Sequence, residues 1–278
     1  MLSNFSYFAI DTLSYSVGHS LDGCIRHLAD KGCRALQLSL HPGILWPSEM
    51  DGAARSSLRR NIHSSGMSVV SVNLPGVELN LGSVYPEMRA YTLALLTDNI
   101  KFAGDLGAPA IVIAPGKPHP LIPVPKSTLT NHFYKALDIL LPLARKLGTT
   151  VCVENTPSSF LPDTEGLIAA IESFGNSEVG VCYDLANGYF VKEDLGKALR
   201  RIGPRLKLVH VADTTREVAR HAAVGQGSIA FAEIAPVLRE IGYGERPVLE
   251  VISLEGEKDM EMTAQNLVNM GWADISAP

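Results

Sequence analysis

No block of lysine and arginine, no Cys-x-x-Cys pair and no long apolar run occurs in these 278 residues, and each absence removes a class of function. Nucleic-acid binders usually carry a clustered basic face. Here 24 Lys and Arg are scattered among 29 Asp and Glu, for a net charge of −5, so no nucleic-acid partner is expected. The four cysteines, Cys24, Cys33, Cys152 and Cys182, lack the spacing of a zinc or redox pair. Cys152 and Cys182 also lie in apolar runs, where a thiol acts as a small hydrophobe. All four are expected to be reduced and structural. No uninterrupted apolar stretch approaches the ~20 residues of a membrane span, and the first residues carry no basic leader. A cytoplasmic protein away from membranes is expected.

What is present is a rhythm. Short β-rich runs, at residues 7–11, 35–40, 68–74, 110–115, 150–155, 179–184, 207–213 and 247–252, alternate with segments of helical period. Those segments cover residues 21–31, 48–65, 86–106, 128–147, 164–174, 192–202, 231–241 and 258–270. Seven of them run into a glycine suited to a left-handed C-terminal cap: Gly32, Gly66, Gly107, Gly148, Gly175, Gly203 and Gly242. Asp163 is placed to cap the start of the fifth. Eight strand-helix units predict a single-domain (β/α)8 TIM barrel over residues 1–278. An open doubly wound sheet would want a Gly-x-Gly-x-x-Gly phosphate turn after its first strand, and the sequence AIDTLSYSVG has none.

Barrel enzymes build their sites at the C-terminal ends of the strands. Strands five to eight each end near a metal-ligand type: Glu154, Asp184, His210 and Glu250. Taken singly, such residues are more often loop carboxylates, helix caps or structural histidines. Together they bring three carboxylates to one rim without matching bases, which is costly unless a cation is bound. Oxygen-rich ligands with one imidazole suit Mn²⁺, Mg²⁺, Co²⁺ or Zn²⁺ and leave positions open for a substrate.

These four residues, with HVADTTRE (210–217) and HAAVGQGSIAFAEIAPVLREIGYGERPVLEV (221–251), resemble the xylose isomerase-like TIM barrels, a superfamily of sugar and sugar-phosphate isomerases and epimerases. The likeness is sharpest over residues 150–253. It implies that Glu154, Asp184, His210 and Glu250 bind one divalent metal, Mn²⁺ being preferred, and that Glu154 and Glu250 also transfer protons. It further implies that Arg216 contacts substrate hydroxyls. Asn187 stands where the family frequently has histidine, and its amide could donate to a substrate oxygen without titrating near neutral pH. The implied reaction is epimerisation or aldose–ketose isomerisation of a carbohydrate through an enediolate. Dehydration of an inosose or a dehydroshikimate-like compound is the alternative on the same residues. An apurinic endonuclease is a distant one, disfavoured by the acidic charge and by the absence of Asp-x-His after His210. A homo-oligomer is compatible with the resemblance.

Other residues carry weaker expectations. Gly225, Gln226 and Gly227 form a family-like G-x-G, and Asp213 either orients Arg216 or caps the next element. His221 reads as structural. His41, Trp46 and Asn73 lie near strand ends, where loop packing is the more expected role, and Trp46 and Trp272 suit a pocket mouth or a subunit contact.

Overall fold

Side chains alternate across a strand, and in this chain the alternation separates large from small residues. The computed structural model describes residues 3–16, 18–76 and 78–275; the expected domain limits at 1 and 278 fall outside them. Its strands are β1 (Ala9–Asp11), β2 (Ala35–Ser39), β3 (Ser68–Asn73), β4 (Ala110–Ile113), β5 (Thr150–Glu154), β6 (Gly180–Asp184), β7 (Leu206–Val211) and β8 (Val248–Leu249). They pair in parallel in chain order, and β1 closes on β8 through Ala9↔Val248 and Ile10↔Leu249. The result is a closed (β/α)8 barrel. Its helices are α1 (Leu21–Asp30), α2 (Gly52–Ser64), α3 (Pro86–Leu106), α4 (Lys126–Lys146), α5 (Thr164–Phe174), α6 (Leu185–Phe190), α7 (Leu195–Ile202), α8 (Phe231–Glu240) and α9 (Gly256–Asn269). Among the described residues no helix is long and apolar enough to cross a membrane.

Outward-facing residues such as Ile10, Leu36, Leu38, Ile111, Val209 and Leu249 join the large core beneath the helices. A separate cluster of mostly small residues, Ala9, Ala35, Ala110, Val112, Cys152, Cys182, Leu208 and Val248, fills the narrow barrel interior. The four cysteines are free and buried. Burial pushes the Cys152 thiol up to about 12, which leaves it inert. Two residues further along four of these strands come Glu154, Asp184, His210 and Glu250. Each therefore faces the axis one layer above an apolar plug.

The boundaries differ from the expected ones where a cap intervenes. The helix expected over 192–202 is α7 and starts only at Leu195; a short helix not expected, α6, precedes it, and the turn between them has Lys192 at a left-handed φ of 69°. Asp184 starts α6 directly from β6 by accepting the Asn187 N–H at 2.6 Å, and Asp194 caps α7 through Lys197 N at 3.0 Å. The eighth strand is shorter than residues 247–252. Glu250 lies just beyond it, still held in line by donating its N–H to Val211 O at 3.1 Å. Helix α2 begins at Gly52 rather than residue 48, because Asp51 accepts from Ala54 N at 2.8 Å. Helices α4 and α9 each begin two residues earlier than expected. Asp163 caps α5 as expected, through Gly166 N at 2.7 Å, and all seven helix-stopping glycines have positive φ. Trp272 belongs neither to a pocket mouth nor to an exposed face: it is fully buried and donates Nε1–H to Phe231 O at 3.0 Å.

Candidate metal centre and its cavity

The alternation that plugs the barrel also gathers the four expected ligands. One ligand atom each from Glu154, Asp184, His210 and Glu250 lies within 4.8 Å of the other three. Asp184 pairs directly with His210 across β6 and β7, whereas Glu154 sits opposite Cys182 and His210 opposite Val248. This stagger is the shear that closes a barrel. His210 Nδ1 is 3.2 Å from Glu154 Oε1, 2.9 Å from Glu250 Oε2 and 4.0 Å from Asp184 Oδ2.

The opposite face of the imidazole is fixed by a buried relay. His210 Nε2 lies 2.9 Å from Gln37 Oε1, which also accepts from Ser71 Oγ at 2.6 Å. Gln37 Nε2 donates to Asp11 Oδ2 at 2.7 Å, so its amide oxygen must face the histidine. Nε2 then carries a proton, and Nδ1 is the ring nitrogen that faces the carboxylates. Such partners orient a ligand histidine and raise its basicity. Gln37→Leu is expected to weaken divalent-metal binding by about 10–100-fold with the fold retained. Calorimetric titration of the variant checks this, and an unchanged affinity would remove the relay from the account.

Asp184 is equally constrained. Asn155 clamps its backbone, accepting Asp184 N–H at 2.7 Å and donating to Asp184 O at 3.0 Å. Glu250 accepts from Asn73 Nδ2 at 2.8 Å, so Asn73 does more than pack a loop. His221, read as structural, also reaches the cluster: its Nε2 is 3.0 Å from Asp184 Oδ2 and 3.8 Å from Glu250 Oε2. It arrives there because the chain after β7 doubles back. Asp213 and Ala222 exchange backbone hydrogen bonds at 2.8 and 2.9 Å, and Ile252 N donates to His221 O at 2.8 Å.

Asp213 organises the loop before α8 rather than capping that helix, whose N-terminus has no side-chain cap. Its carboxylate gathers the N–H groups of Thr214, Gly225, Gly227 and Ile229 at 2.9 to 3.2 Å. A Cβ on Gly227 would overlap that carboxylate, which explains the second glycine of G-x-G. Arg216 is exposed and lies over the Tyr189 ring, 4.7 Å from its centre. Trp46 is half-buried against the core and His41 is exposed, bonding to Pro42 O at 2.8 Å.

Electrostatics fit a cation. Among the described residues, no lysine or arginine is ion-paired with these carboxylates, whose basic neighbours are His210 and His221. Burial pushes the Glu250 carboxyl up to about 7. For His221 burial opposes the charged form, but the adjacent Asp184 outweighs it and raises the imidazole to about 9. Burial alone would raise Asp184 too; His221 and His210 hold it below its ordinary value. Three carboxylate oxygens and one imidazole nitrogen, converging and backed by buried hydrogen bonds, fit a divalent metal.

A cavity of ≈ 220 Å³ opens on this cluster, lined by Glu154, Glu250, His221, Asn187 and Asn73 at one end. Asp184 and His210 are fully buried behind it. Of the four clustered residues, only the two glutamates line the open space. Arg216, Trp46 and His41 are not among its walls.

The sequence pattern of the xylose isomerase-like TIM barrel family matches residues 25–267. The chain belongs to that family. Among relatives of this xylose isomerase-like barrel, an uncharacterized protein of Methanocaldococcus jannaschii is 26 % identical over 68 % of the chain, a match spanning 64 % of the relative's own length. A D-psicose 3-epimerase of Ruminiclostridium cellulolyticum is 25 % identical over 70 % of the chain and 67 % of its own length. In three dimensions the chain is similar to an L-ribulose 3-epimerase, with TM-score 0.79 and 20 % identity over 96 % of this chain and 93 % of that one.

Proposed function

We propose that this xylose isomerase-like barrel is a divalent-metal-dependent carbohydrate isomerase, a ketose epimerase or aldose–ketose isomerase working by proton transfer through an enediolate. The observation that carries the reading is the division of labour in the cluster. Asp184 and His210 are sealed from the cavity, whereas Glu154 and Glu250, at the ends of β5 and β8 with β6 and β7 between them, both line it. In this reading Glu154, Asp184, His210 and Glu250 hold one ion, Mn²⁺ by preference, with Mg²⁺, Co²⁺ and Zn²⁺ compatible with the same donors. A cation bound there supplies Lewis acidity towards a carbonyl oxygen and its neighbouring hydroxyl.

The protein's own groups move the proton. One glutamate removes it from the carbon beside the carbonyl, and the other returns a proton from the opposite side. Return to the opposite face of the same carbon gives an epimer; return to the neighbouring carbon exchanges ketose and aldose. Asn187 lines the cavity and offers an amide to substrate oxygens. Arg216, set over Tyr189 outside the cavity wall, serves substrate hydroxyls from the rim in this reading. The small cavity, below the roughly 300–1,000 Å³ of drug-sized sites, supports a monosaccharide-sized partner. The similarity to proteins named D-psicose and L-ribulose 3-epimerase supports the ketose 3-epimerase form. A cytoplasmic location accords with four free, buried cysteines.

The test is product analysis by NMR with ketoses, ketose phosphates and inososes, using chelated and Mn²⁺-reloaded protein. The expected result is an epimer or an aldose formed by the reloaded protein alone. A dehydrated product would replace this reading with the lyase, and no product from any member would overturn it.

A further inference from the structure

The cavity has two unlike ends, and the end remote from the carboxylates is apolar. Its walls there are Leu74, Leu79 and Leu81 from the segment after β3, Leu96 of α3 and Ile113 of β4. The Thr92 hydroxyl and the Asn80 amide beside these walls are already engaged with the protein. The Thr92 hydroxyl donates to Met88 O at 2.8 Å and accepts from Asn80 N at 3.1 Å. Asn80 Oδ1 accepts from Gly82 N at 2.8 Å and Lys117 N at 2.7 Å, and its Nδ2 donates to Lys117 O at 3.0 Å. A hydroxyl placed among these leucines would lose its water and gain no hydrogen bond from their side chains. A phosphate would fare worse, since tight phosphate sites use several charge-assisted or backbone N–H donors. Lys117 is the one lysine or arginine among the lining residues, and it is half-buried.

We infer that the leucine-lined end receives an unhydroxylated, uncharged terminus, so that the substrate class is a deoxyketose with a terminal methyl group rather than a ketose phosphate. This rests on the proposed function for the orientation of the sugar: the carbonyl lies at the glutamates and the chain terminus at the leucines. A hydrophobic pocket discriminates by one methylene or hydroxyl at about 10–200-fold, which sets the size of the expected preference.

The experiment compares a ketohexose, its 6-deoxy counterpart and its 6-phosphate by calorimetry on the Mn²⁺-loaded protein. The deoxy compound is expected to bind roughly ten- to a hundredfold more tightly than its parent, with the phosphate weakest. Leu79→Asn, at a half-buried wall position, should close that gap, and Leu79→Met should preserve it. Equal or tighter binding of the parent or the phosphate overturns the inference, as does no binding by all three. Solvent deuterium exchange on the same compounds separates this from the proposed reaction. A deoxy preference without exchange removes the reaction and keeps the subsite; exchange without the preference removes the subsite and keeps the reaction.

Discussion

Glu250→Gln is expected to lower turnover by about 10²–10⁴-fold, the usual range for losing a positioned proton-transfer group, while leaving a metal bound. The amide keeps the shape of the side chain and an oxygen that can still accept from Asn73 Nδ2, so the backbone beyond β8 has no reason to move. What is lost is the capacity to take up and return a proton. Glu154→Gln should give the same loss from the other flank of the cluster. Because the two glutamates serve opposite sides of the substrate in this account, each variant should still exchange the proton of one epimer with solvent and fail with the other. Steady-state kinetics and single-epimer exchange measure both effects. Turnover within a few-fold of the parent protein in either variant would remove that residue from the mechanism.

His210→Ala should act on binding rather than on proton transfer. The histidine is fully buried, touches no part of the cavity and aims Nδ1 at two carboxylates. Its removal takes away the one nitrogen of the cluster, so divalent-metal affinity is expected to fall by more than the roughly 100-fold that bounds a typical outer-partner loss. Thermal unfolding offers a second readout. A metal at a hundred times its dissociation constant stabilises the folded protein by about 2.7 kcal/mol, and this shift should vanish for His210→Ala at the same metal concentration. An unchanged calorimetric affinity would take His210 out of the metal site.

The strand-borne half of the site was legible because a local rule places it. Period-two alternation puts Glu154, Asp184, His210 and Glu250 two residues beyond Cys152, Cys182, Leu208 and Val248, and parallel closure does the rest. The same rule could have flagged Gln37 and Asp11, polar residues in step with Ala35 and Ala9; they fell among residues read simply as strand. His221 was not legible. It stands in an irregular stretch eleven residues after His210 and reaches Asp184 only through long-range backbone pairing at Asp213 and Ile252. Asn73 is similar: its partner, Glu250, is 177 residues away. Helix α6 was hidden because Asp184 doubles as its cap, a role that the spacing of strand residues does not reveal.

The most direct test of the central claim is solvent deuterium incorporation during turnover, followed by NMR at the carbon beside the carbonyl, with Mn²⁺-loaded and chelated protein. The account predicts deuterium at that carbon with the loaded protein and none with the chelated one. Turnover that transfers hydrogen without any exchange, or deuterium entry that persists after chelation, would contradict it.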